Sequence, residues 1–266
     1  MYNANIRDQI RSAQYIINDL EIRPFDSIIL PNDLILFANR DDKKLTLCDE
    51  NFRIIKTIDK IENRGFYPEA VAVAIDSPKR IYFTNRDSHE VIMTDLNVNK
   101  IKSFGSIGQL NDQFNDPCGI AYIEGLVYVC DSKNERIQIL HSGLEFCKSV
   151  PLDYEPWLIK GSSNVVCIER NDGQGISFYN LKDNFSLIQN YYHGWGKISN
   201  LNGSFYECCV KKKRIYCYDE EGSLIDEINV ERFDNIISNS WDGYLFTFKT
   251  NLLMLCYNKR KIIQFN

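Results

Sequence analysis

Short apolar runs that end in a turn-forming residue recur along the chain. They read Leu45-Thr46-Leu47-Cys48-Asp49, Val91-Ile92-Met93-Thr94-Asp95, Ile137-Gln138-Ile139-Leu140-His141, Ile176-Ser177-Phe178-Tyr179-Asn180, Ile215-Tyr216-Cys217-Tyr218-Asp219 and Met254-Leu255-Cys256-Tyr257-Asn258. Their starts are spaced by 46, 46, 39, 39 and 39 residues. A near-constant period in this range marks a stacked or radial repeat. The closing Asp or Asn has a physical reason: its short side chain bonds backbone two residues on and starts a tight turn. His141 breaks that rule.

Each run has apolar neighbours on both sides. Leu34–Ala38, Ile81–Thr84, Leu126–Cys130, Val165–Ile168, Phe205–Val210 and Tyr244–Phe248 precede the marked strands. Ile54–Ile58, Lys100–Phe104, Phe146–Val150, Phe185–Ile188, Leu224–Ile228 and Ile262–Phe265 follow them. A further segment such as Ala70–Ile75 or Cys118–Ile123 opens the unit. Segments rich in Ile, Val, Tyr and Phe, broken by Asp, Asn, Gly and Pro, read as strands. Six units of four strands predict an all-β fold, a six-bladed β-propeller of four-stranded antiparallel blades. An open solenoid is the alternative. Residues 15–266 are assigned to the repeat domain and 1–14 to a lead that is helical or disordered. Tyr15–Asn18 is expected to clasp the last blade, in competition with Ile262–Phe265.

Composition narrows the class without naming a chemistry. The chain has 266 residues and 44% hydrophobic content, which suits one globular all-β domain. No apolar run approaches the ~20 residues of a membrane span, and MYNANIRDQIRSAQ lacks the apolar core of a signal peptide. Nine cysteines, most inside strands and none in a CxxC pair, read as free buried thiols and suggest a cytoplasmic protein. The net charge of −5 does not announce a nucleic-acid binder, whose domain is typically basic.

The most characteristic stretch is Phe104–Leu140. It carries Phe104-Gly105, Gln113-Phe114 and Pro117 before a strand, then Tyr128-Val129-Cys130-Asp131 leading to Asn134-Glu135-Arg136-Ile137. In these residues the chain resembles the NHL repeat, best in the third unit and fairly in the second. The resemblance implies a propeller like the C-terminal domain of TRIM-NHL ubiquitin ligases, a platform for substrate proteins or RNA. No RING or B-box cysteine pattern is present, so ligase chemistry would reside elsewhere.

The loops between second and third strands should gather on one rim, together with the loops between blades. Arg40, Arg86 and Arg170 end equivalent strands, and Arg136 and the run Lys211, Lys212, Lys213, Arg214 join them. Such a rim can grip carboxylates or phosphates, unless its own acids neutralise it. The resemblance points to the same cations. Aromatics precede the inner strands at Phe25, Tyr67, Phe114, Trp157, Trp195 and Phe233. They either pack blade on blade or offer stacking surfaces, and Tyr67, Trp157 and Trp195 join the binding set. The reading is a non-catalytic platform for a protein or peptide, with no cofactor, no metal and no membrane partner. Single-stranded RNA on the same rim is the second reading. A metal-dependent lyase or hydrolase using His89 and His193 is the third, weakened because zinc sites need three or four ligands.

Overall fold

A computed structural model describes residues 14–18, 24–31, 33–39, 42–61, 64–65, 68–74, 79–209, 211–231, 243–248, 251–256 and 261–265. Arg40, Tyr67, Phe233 and the lead 1–13 lie outside the described residues. Among the described residues the strands form six four-stranded antiparallel sheets and one two-stranded hairpin.

Five sheets are meanders of four consecutive strands. Sheet 1 comprises Asp26–Ile29, Ile35–Asn39, Lys44–Cys48 and Ile54–Ile58. Sheet 2 comprises Pro68–Ala74, Arg80–Asn85, Glu90–Thr94 and Lys100–Phe104. Sheet 3 comprises Pro117–Ile123, Leu126–Asp131, Arg136–His141 and Phe146–Pro151. Sheet 4 comprises Pro156–Gly161, Val165–Arg170, Ile176–Asn180 and Ser186–Tyr191. Sheet 5 comprises Lys197–Leu201, Ser204–Cys209, Arg214–Tyr218 and Leu224–Asn229. Sheet 6 is assembled from both ends of the chain, in the order Gly243–Phe248, Asn251–Cys256, Lys261–Phe265 and Gln14–Asn18.

Sheet 6 corrects two expectations. Gln14–Asn18 pairs antiparallel with Lys261–Phe265, so the two terminal segments are neighbours and not competitors. The strand Gly243–Phe248, expected second, opens the sheet and packs beside Lys197–Leu201. The later strands therefore move one place inward, and the N-terminal strand fills the vacated outer position.

The repeated Asp or Asn does what its side chain predicts. Asp49 Oδ1 accepts the N–H groups of Asn51 and Arg53 at 2.9 Å each. Asp95 Oδ1 accepts those of Asn97 and Asn99 at 2.9 and 2.8 Å. Asp219 Oδ1 accepts those of Glu221 and Ser223 at 3.0 and 2.8 Å. Asn180 Oδ1 serves Lys182 and Asp183. Where His141 stands instead, backbone bonds alone close the turn: His141 and Leu144 donate to Glu145 O and His141 O.

Burial follows strand position. Second strands are buried along nearly their whole length, as in Ile35–Asn39, and read as continuous apolar runs because both faces are covered. Fourth strands are largely exposed, as in Ile54–Ile58, where only the last residue is buried. Contacts divide the chain into two units, Arg23–Ile159 with Arg170–Asp172, and Met1–Ile22 with Lys160–Glu169 and Gly173–Asn266. The first holds a core of Leu36, Ala38, Leu45, Ile81, Phe83 and Ile92 between sheets 1 and 2. The second holds one of Tyr206, Cys208, Ile215, Leu245, Leu252 and Met254 between sheets 5 and 6.

The change of period from 46 to 39 has a visible cause. The hairpin Lys60–Ile61/Arg64–Gly65 lengthens the link from sheet 1 to sheet 2. A folded loop, residues 105–116, lengthens the link from sheet 2 to sheet 3. That loop presents one of the two candidate sites.

Candidate functional site

Loop 105–116 is fixed mainly by side chains of sheet 3. Gly108 N–H donates to Phe114 O at 3.0 Å, and Phe114 N–H donates to Ser106 O at 2.8 Å. Gln113 Oε1 accepts the N–H groups of Gln109 and Leu110 at 3.1 and 3.2 Å. Arg136 Nη1 donates to Gln109 O at 2.9 Å, and Nη2 donates to Leu110 O and Gln113 O at 2.8 and 2.9 Å. Asn134 Nδ2 donates to Gly108 O at 2.8 Å. Gly105, at φ +119°, lets the chain turn in: a Cβ there would stand 2.6 Å from the buried Phe114 ring.

Asp131 organises these donors. It is wholly buried at the end of the second strand of sheet 3. Its carboxylate accepts Asn115 N–H at 2.7 Å, Asn134 Nδ2 at 2.9 Å and Arg136 Nε at 2.6 Å. Full satisfaction is what makes a buried carboxylate tolerable. Gln113, Phe114, Asp131, Asn134 and Arg136 thus form one clamp. On it stand Ile107 and Leu110, each 66% exposed.

Every arginine of the expected rim that the structure describes carries a carboxylate. Arg86 holds Asp116 through Nε and, at 2.6 Å, through Nη2. Its guanidinium lies 5.8 Å from the Trp157 ring centre. Arg136 holds Asp131. Arg170 lies 4.0 Å over the Tyr154 ring and pairs with Asp172 at 3.1 Å. Arg214 pairs with Glu227 at 2.6 Å. The acid partners were foreseen in kind and not in identity, because they come from neighbouring turns and strands. Lys211 and Lys212 are exposed on the turn joining the second and third strands of sheet 5, and Lys213 is half-buried there at φ +56°. Among the aromatics, Phe25 and Trp157 are buried edge to face at 5.5 Å, and Phe114 is buried. Trp195 is half-buried and lies across Gly173.

A second polar cluster, unforeseen from the sequence, centres on Glu207 in the second strand of sheet 5. It is fully buried. Its Oε2 accepts the Tyr218 hydroxyl at 2.6 Å and lies 2.9 Å from His193 Nδ1. Oε1 has no hydrogen-bond partner among the described residues. His193 stacks on Tyr216 at 3.6 Å between ring centres and 14° between planes. Its carbonyl accepts Cys209 Sγ at 3.3 Å. Burial raises the Tyr218 phenol pKa far above its usual value, aided by the Glu207 charge and hydrogen bond. Burial likewise pushes the Cys167 thiol well up, with help from Glu207 and Glu169. The missed signal was a lone acid inside an apolar strand, Phe205-Tyr206-Glu207-Cys208-Cys209.

His89 is held in the opposite sense. Its Nδ1 accepts the Asp116 N–H at 3.2 Å. Among the described residues no group of three or more His, Cys, Asp or Glu is placed to hold a metal ion. Their helices include none long and apolar enough to cross a membrane.

No family model and no curated protein matches the chain. Solved structures do. A streptogramin B lyase is 14% identical with a TM-score of 0.67, covering 96% of this chain and 97% of that one. The WD40 repeats of RRP9 are 9% identical with a TM-score of 0.66, covering 91% and 76%. The nidogen/laminin complex contributes a chain 11% identical with a TM-score of 0.58, covering 78% and 80%. Such low identities carry the architecture, and WD40 repeats are blades of four-stranded sheet arranged radially. The chain is a β-propeller. Its blades are four-stranded and antiparallel.

Proposed function

We propose that this propeller is an interaction platform for a protein or peptide, acting through loop 105–116. We read each four-stranded sheet as one blade, six in all, and the NHL-like third blade as the recognition blade. The observation that carries the reading is a preorganised loop offering exposed Ile107 and Leu110. A loop already fixed loses little entropy on binding, so two apolar anchors count for more. The nidogen/laminin likeness is to a chain of a protein complex, which supports the same direction. A recognition role within a ubiquitin ligase system fits the NHL resemblance. Buried thiols such as Cys48 and Cys167 suit the cytosol.

RNA on the rim is less favoured because Arg86, Arg136, Arg170 and Arg214 are engaged by Asp116, Asp131, Asp172 and Glu227. A cation already neutralised releases few counterions when it meets phosphate. The test compares proteins captured by the wild-type chain with those captured by Ile107→Asp/Leu110→Asp. Partners lost with the double variant support the reading. Nuclease-sensitive, steeply salt-dependent binding that persists in the double variant overturns it in favour of RNA.

A further inference from the structure

We propose that His193 and Glu207 form a second, small-molecule site of general-base character, taking water or a hydroxyl-bearing ligand at His193 Nε2. The site is separate from loop 105–116 and does not depend on that loop's role. Glu207 is an acceptor-only group when ionised, so the two groups near Oε2 must both be donors. One is the Tyr218 hydroxyl at 2.6 Å, and the other is His193 Nδ1 at 2.9 Å, whose proton is shared with the Tyr218 oxygen at 3.1 Å. That fixes the proton on Nδ1 and leaves the lone pair on Nε2.

The ring keeps 16% of its side-chain exposure while its Nδ1 edge is held against a wholly buried carboxylate. That leaves the exposure to the rest of the ring, which includes Nε2. Tyr216 stacked on the ring and Cys209 bonded to the His193 carbonyl hold that edge in place. A neutral imidazole backed by a buried carboxylate is the arrangement that stabilises the imidazolium formed when a base accepts a proton.

His89 supplies an internal control. Its Nδ1 accepts a backbone proton, so its own proton sits on Nε2 and no lone pair faces outward there. His141, exposed in its turn, supplies the solvated reference.

The experiment uses diethyl pyrocarbonate on the intact chain, read residue by residue by mass spectrometry. Nε2 adds to a carbonyl carbon and the C–O bond to ethyl carbonate breaks. The carbethoxylated ring then passes its Nδ1 proton to Glu207. His193 is expected to react about tenfold or more faster than His141 and His89, and Glu207→Gln to remove most of that advantage. Long-range 15N NMR of the unmodified protein should show His193 protonated on Nδ1 and His89 on Nε2. Should Glu207→Gln fail to fold, Tyr218→Phe tests the rate and the NMR spectrum needs no variant. His193 reacting no faster than His141, or protonated on Nε2, overturns the proposal.

Discussion

Asp131 in sheet 3 and Glu207 in sheet 5 are both fully withdrawn from water, yet they are served differently. Asp131 receives a backbone N–H, an amide and a guanidinium, spread over both oxygens. Among the described residues, Glu207 receives its donors on Oε2. The first carboxylate is part of the scaffold: removing any partner costs stability, and no capacity is left over. The second is linked to a partly exposed histidine, where the proposed base would act. A buried charge is costly unless paired, and which pairing a site chooses separates architecture from chemistry.

The largest effect should come from breaking the Asp131 side. Arg136→Met strips the buried carboxylate of its cation and removes one donor from each of three carbonyls of loop 105–116. The expected loss is about 3–5 kcal/mol, read from the denaturant midpoint. A loss below about 1 kcal/mol would erase the contrast between the two sites. Next comes Gly196→Ala, whose Cβ would stand 2.6 Å from Glu207 Cγ and 2.7 Å from Oε1. Overpacking of this kind costs about 1–3 kcal/mol. Pairing it with Glu207→Ala should recover part of that loss, because the clashing atoms belong to Glu207; strict additivity in the double-mutant cycle would refute the contact.

The Tyr218 site also has a pH signature. Its folded-state pKa is raised, by burial first and then by the Glu207 charge. Stability from this group is thus complete below the unfolded tyrosine value of about 10 and falls as pH rises past it, by about 1.4 kcal/mol per pH unit. Tyr82 and Tyr216, each pushed to about 12 by burial, add the same sign up to that pH. Tyr218→Phe should flatten the alkaline fall of the unfolding midpoint, and an unchanged slope would count against the buried phenol. The smallest effect is expected for Glu207→Gln, within about 1 kcal/mol by thermal unfolding, since one oxygen already lacks a donor. A change as large as that of Arg136→Met would mean that Glu207 is scaffold as well.

Much of the clamp was legible residue by residue. Asp131, Asn134, Arg136, Gln113 and Phe114 all stand in the segment with the strongest repeat character, and their partners lie nearby along the chain. The rim arginines were legible as a set, but their acid partners were not: Asp116 reaches Arg86 from the next inter-blade loop and Glu227 reaches Arg214 across a strand pair. Glu207 was overlooked because its neighbours His193 and Tyr218 belong to different segments, and no short motif joins them.

By itself the sequence determined the strand rhythm, the turn residues that end the third strands and the apolar second strands, because these depend on side-chain period and local hydrogen bonding. The 46-residue spacings also marked where extra chain would be found. Only the tertiary structure decided that the N-terminal strand is the outer strand of sheet 6, which cations were neutralised, and which groups meet the buried Glu207 carboxylate. Those outcomes depend on groups distant in sequence meeting in a low-dielectric interior, where the partner present sets the cost of each charge.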